Sequence, residues 1–109
     1  MEFKEYQNLA KRTANDNNEE RYKLANYSMG LSGEAGEVTD YVKKVVFHGH
    51  EMDNQKLKDE LGDVLWYIAN LAAVRGIELE EIASHNIEKL KKRYPEGFSE
   101  ERSKERVEK

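Results

Sequence analysis

The sequence predicts an all-α protein, a four-to-five-helix bundle built on a central antiparallel helical hairpin and completed by oligomerisation. Three observations lead there. Pro95 is the one proline in 109 residues, where a sheet-rich domain needs more turn punctuation. Apolar residues recur at helical rather than alternating spacing along most of the chain. One helical phrase is also written twice, LSGEAGEVTDYVKKV (31–45) and LKDELGDVLWYIANL (57–71), 26 positions apart.

A first helix is expected over about 2–14, with Phe3, Tyr6 and Leu9 or Ala10 on its buried side. The polar run NDNNEE (15–20) reads as a loop that caps the second helix. Helix two covers about 20–47, with a stripe of Leu24, Tyr27, Leu31, Ala35, Val38, Val42 and Val45, and His48-Gly49-His50 stops it. Asp53 or Asn54 caps helix three, which runs to about Arg75 with Gly76 closing it. Helix four begins near Glu78, turns Leu79, Ile82, Ala83, Ile87 and Leu90 inward, and ends at Tyr94-Pro95. Residues 1–98 are read as the domain and 99–109 as a charged tail, either a frayed surface helix or disordered.

Helix three is apolar on nearly every side: from 64 to 74 (VLWYIANLAAV) only Asn70 is strongly polar. Such a helix has to be covered all round. Either its own three neighbours wrap it, or Trp66, Ala69 and Ala73 meet another subunit; the second is the expectation here.

Bulk properties exclude several functions. The formal net charge is −4, so the whole molecule gives no electrostatic attraction to nucleic acid or anionic membranes. No cysteine is present, which removes disulfides, thiolate catalysis and zinc-thiolate sites. MEFKEYQNLAKR lacks the apolar centre of a signal peptide, and no stretch reaches membrane-spanning length. The expected setting is cytoplasmic, with neither a nucleic-acid nor a membrane partner.

Each copy of the repeat carries an acidic pair, Glu34 with Glu37 and Glu60 with Asp63. Seven acid pairs at this spacing occur, so any one of them is most simply a solvated helix face. Phase separates these two. At about 100° per residue, Glu34 sits about 60° and Glu37 about 120° from the apolar stripe on one side, with Tyr41 between them. Glu60, Asp63 and Tyr67 repeat those angles. If the helices pack antiparallel through their stripes, both pairs flank one seam. Carboxylates about 5 Å apart repel by about 3 kcal/mol per pair at an effective dielectric of ~20. Either a multivalent cation neutralises the cluster, or the acids point apart and the repeat is structural. The cation is favoured, and all-oxygen ligands select Mg²⁺, with Mn²⁺ possible. His48, His50 and His85 read as surface or capping groups.

Further residues join this picture. In helix four, Asn86, Lys89 and Arg93 share one edge of the apolar line. They either snorkel over the core or clamp the phosphates of a metal–phosphate complex. Gly30 lies one turn before Glu34, leaving room for a flat ligand or another helix, while Gly36 and Gly62 read as sites of close helix packing. Tyr6, Gln7, Thr13, Tyr41, Trp66 and Tyr67 are candidates to stack on or hydrogen-bond a nucleobase, although aromatics at helical spacing are more often core.

Taken in order, Glu34-x-x-Glu37, 22 intervening residues and Glu60-x-x-Asp63 resemble the signature of the MazG-like branch of the all-α nucleoside triphosphate pyrophosphohydrolases. The words GLSGEAGEV, DELGDVLWYIA and NIEKLKKRYPEGF also look like that family, and together they cover most of 30–98. The resemblance implies Mg²⁺-dependent cleavage of a nucleoside triphosphate between its α- and β-phosphates, giving a monophosphate and pyrophosphate. By position it implies Glu34, Glu37, Glu60 and Asp63 as metal ligands. Lys89 and Arg93 would contact phosphate, and Asn86 would support the nucleotide. It further implies a homo-oligomer, a dimer or tetramer. Within the catalytic pair Glu37 and Glu34, Glu37 is chosen to activate water because it lies further from the apolar stripe. The rival reading is a non-catalytic helical oligomerisation or interaction module, which predicts no Mg²⁺ effect on thermal stability.

Overall fold

The computed structural model describes residues 1–15 and 17–105. Helix α1 (Phe3–Ala10) runs into a 3-10 turn (Lys11–Thr13) and is followed by α2 (Glu20–Phe47), α3 (Asn54–Val74), α4 (Leu79–Arg93) and α5 (Glu100–Lys104). No strand occurs among the described residues beyond one isolated bridge between Pro95 and Gly97. The all-α expectation holds, with five α-helices among the described residues. Asp16 and residues 106–109, parts of the expected loop and tail, lie outside the described residues.

The long elements stop where their chemistry requires. Gly49 (φ 74°) follows α2, and Gly76 (φ 68°) follows α3, each in the left-handed region that glycine enters without a Cβ penalty. Asp53 caps α3 by accepting a hydrogen bond from the Gln55 N–H at 2.9 Å. At the start of α4 the Glu81 carboxylate accepts from the Glu78 N–H at 3.0 Å. Arg102 of α5 donates to the Arg93 and Lys92 carbonyls, placing positive charge at the C-terminal end of α4.

Helices α2 and α3 form the expected hairpin, the most extensive packing in the molecule. Helix α1 lies across α3, where Ala10, Ala69 and Leu79 form a buried cluster with Tyr6, Trp66 and Ile68 packed against it. Gln7 joins three elements: its Nε2 donates to the Ala69 and Ile77 carbonyls, and its Oε1 accepts from the Leu79 N–H.

Several expected core positions are corrected. Helix α1 stops at Ala10 rather than continuing to 14, and it buries Gln7 and Ala10 while Phe3 and Leu9 stay exposed. Ala69, expected to meet another subunit, is 0% exposed within the single chain because α1 and Leu79 cover it. Trp66 turns the same way, its Nε1–H donating to Thr13 Oγ1 at 2.8 Å. The inward face expected of α4 is largely open, with Ile82, Ile87 and Leu90 all exposed. The principal packing partner of α4 is α1 rather than the hairpin.

Candidate metal and nucleotide site

The hairpin brings three of the four repeated acids together. Carboxylate oxygens of Glu34, Glu60 and Asp63 lie within 4.8 Å of one another. Glu34 and Glu60 are half-buried and Asp63 is exposed. The antiparallel packing of two amphipathic stripes explains this, since acids flanking each stripe on matching sides converge across the seam. Glu37 stands outside the trio on the exposed side of α2.

Glu34 has its pKa raised, first by desolvation, then by the charges of Asp63, Glu60 and Glu37. Every charge shifting it is negative. Neither Lys89 nor Arg93 contributes, although both were expected near this seam. Lys44, by contrast, is held protonated mainly by its hydrogen bond to Asp40, with Glu37 adding a minor effect. Tyr6 approaches from α1: burial and then the charge of Asp63 raise its pKa, so it remains a neutral hydroxyl beside the acids. Nothing in its spacing marks it, because it comes from a separate helix that only the fold brings over the seam.

An aromatic group continues the seam one turn from the acids. Tyr67 stands edge-on to Trp66 (centroids 4.9 Å apart), and Tyr27 does the same to Trp66 at 5.9 Å. The Tyr67 ring fills the space over Gly30 that was expected to admit a ligand or helix: a Cβ there would lie 2.1 Å from Tyr67 Cε1. Gly36 and Gly62, expected at close helix contacts, face open space.

Beyond the aromatic group lies a cleft of about 350 Å³ lined by Lys11, Lys23, Tyr27, Asn70, Ala73 and Val74. Three of the residues considered as base contacts are occupied elsewhere. Gln7 ties helices together, Thr13 donates to the Ala10 carbonyl and accepts from Trp66, and the Tyr41 hydroxyl donates to the Glu51 carbonyl. Tyr41 also accepts from the Asp53 N–H at 2.7 Å. Among the described residues no helix is long and apolar enough to cross a membrane.

The family model described as "MazG nucleotide pyrophosphohydrolase domain" matches residues 23–98. A curated relative, the "Gene 37 protein" of Mycobacterium phage L5, is 38% identical over 78 residues, covering 68% of this chain and 68% of its own. No solved structure matches. The family match spans both acid pairs, the aromatic group and α4, while Tyr6 and Lys11 lie outside it.

Proposed function

From the premise that the chain belongs to the MazG nucleotide pyrophosphohydrolase family, we propose that it cleaves nucleoside or deoxynucleoside triphosphates between the α- and β-phosphates. The products are a nucleoside monophosphate and pyrophosphate. The observation that carries this reading is the convergence of Glu34, Glu60 and Asp63 with the raised proton affinity of Glu34. Clustered carboxylates of one sign, all oxygen donors, fit a hard divalent cation of the Mg²⁺ or Mn²⁺ kind. Glu34, Glu60 and Asp63 would hold it, with Glu37 as the outer member of the set. When bound, such an ion supplies charge neutralisation at the phosphate oxygens.

The chain's own groups do the rest. Glu37, exposed and outside the trio, takes the role of orienting or deprotonating the attacking water. Tyr6 offers a neutral hydroxyl donor at the edge of the site. Asn86, Lys89 and Arg93 are assigned to the phosphates and nucleotide, with a neighbouring copy's α4 carrying them to this seam.

A homo-oligomer is supported by surface arithmetic. The accessible surface is 8494 Å², against about 6,200 Å² for a folded monomer of this mass. The radius of gyration is 16.9 Å, against about 13 Å for a closed domain of this length. The excess surface, about 2,300 Å², is of the size that an obligate interface covers. Ile82, Ile87 and Leu90 of α4 are the apolar groups that a second copy would bury. The cysteine-free composition suits a reducing, cytoplasmic setting.

The test is a panel of canonical and modified triphosphates with Mg²⁺, scoring monophosphate and pyrophosphate by chromatography. Glu34→Ala and Asp63→Ala are each expected to reduce turnover by about 10²-fold or more with helical circular dichroism retained. Undiminished hydrolysis by both variants would remove the assignment.

A further inference from the structure

We propose that the protein carries a second anion site, remote from the acids: a groove along the flank of α1 that takes a short chain of phosphates, such as inorganic pyrophosphate or tripolyphosphate. The site stands independently of the hydrolysis reading, although that reaction releases an anion of this class.

The groove has two lobes. The cleft of about 350 Å³ holds Lys11 and Lys23, and a neighbouring one of about 170 Å³ holds Lys4, Asn8, Ile77 and Glu78. Lys11 and Ala73 line both, so the lobes meet there. Ala73 follows Asp63 by ten residues on α3, about 15 Å along the helix. The groove is thus a separate place from the acid trio, and it depends on α1, which precedes the family match.

The sequence withholds acids from these lysines. On a helix, natural partners lie three or four positions away. For Lys4 those positions hold Met1, Gln7 and Asn8; for Lys11 they hold Gln7, Asn8, Ala14 and Asn15. Lys23 does have Glu19 and Glu20 at that spacing, but Arg75 takes Glu20 at 2.6 Å and Arg21 faces Glu19 at 3.9 Å. None of the three lysines makes an ion pair among the described residues. Lys23 is also half-buried. An ammonium that has lost part of its water gains most from a counter-ion entering its own cleft. Glu78 is the one acid in the lining, at the start of α4.

The spacing favours several charges on one ligand. Lys4 and Lys11 stand seven residues apart, about 10 Å along one edge of α1 and the turn that continues it. Lys23 approaches from α2. A phosphate chain carries charge along its length and meets all three, and ammonium groups bind phosphate oxygens as point charges. The molecule as a whole, at −4, attracts no anions, so affinity has to come from this local group. Occupancy also has a built-in reporter. Lys11 opens the 3-10 turn, and Thr13 at its end accepts from the Nε1–H of Trp66, the single tryptophan.

The experiment titrates the full chain with pyrophosphate and tripolyphosphate in EDTA at constant ionic strength, where the uncompensated acids of the hairpin repel phosphate. Trp66 emission should change saturably and the melting midpoint should rise, with inorganic monophosphate much weaker. Lys11→Met/Lys23→Met should weaken binding by about tenfold or more. Lys91→Met/Lys104→Met, with the same change in net charge, should leave it intact. ATP in the same titration identifies the source: binding tighter than tripolyphosphate marks a nucleotide's phosphate tail, and equal binding marks the inorganic chain. The lysines could instead serve only the negative end of α3. In that case Lys11→Met/Lys23→Met melts lower and pyrophosphate acts on neither protein, which overturns the site. Equal weakening in both double variants overturns it too. Neither result touches the hydrolysis assay, and failed hydrolysis leaves the titration unaffected.

Discussion

Gln7 uses both ends of its carboxamide on backbone groups of α3, α4 and the turn between them, and it is 6% exposed. Replacing it with leucine leaves the Leu79 N–H and two carbonyls short of partners inside the protein. The expected loss is about 3 kcal/mol, read by urea denaturation. Gly30→Ala is expected to cost about 1–3 kcal/mol, since the new methyl overlaps the Tyr67 ring, and the Gly30→Ala/Tyr67→Ala pair should cost less than the sum of its parts. Only one of these was legible in the sequence: the room beside Gly30 was expected for a ligand or another helix, and α3 takes it through Tyr67, while nothing marked Gln7 as a lock. A glutamine on an N-terminal helix reads the same whether it binds a base or locks a core. The repeated acids were legible because their meaning depends on phase along one helix, which spacing encodes directly. Three of the four do converge.

At the scale of elements, α2 and α3 were readable end to end because punctuation agreed with periodicity: Gly49, Asp53 and Gly76 each stand where the chain turns. Asp53→Ala should therefore lower stability by about 1 kcal/mol, seen as a shifted denaturation midpoint with an unchanged slope. Asp40 offers a pH test. Its pKa is lowered from 3.8, first by the hydrogen bond from Lys44. Such a group contributes stability above its ordinary pKa and loses that contribution as pH falls through the lowered folded-state value. The wild type should thus lose slightly more thermal stability than Asp40→Asn over that acidic range, and the effect should be small because the pair is solvated. The facing of α1 and α4 was misjudged for one reason. Both are short amphipathic helices, and their spacing says that a stripe exists without saying whether the chain itself covers it.

For the whole molecule, the open glycines give a sharp measurement. Gly36 and Gly62 sit in helix interiors where a methyl group meets nothing within the chain. In an isolated protomer Gly36→Ala should stabilise by about 0.5–1 kcal/mol. If a second copy packs there, the same change should destabilise and weaken association. Light scattering should find a dimer or larger assembly for the wild type, and Ile87→Asp should shift it toward protomers.

The Tyr41 hydroxyl bridges Glu51 and Asp53 across the inter-helix turn. It sets the register of the two arms through neutral groups that owe nothing to any ion. On the proposed reading, ion uptake would then be a late, reversible event on an already ordered scaffold, unlike small domains that fold only around their metal. Chelation should silence the protein while leaving its far-ultraviolet spectrum and cooperative melting intact, and readdition should restore activity without a refolding lag.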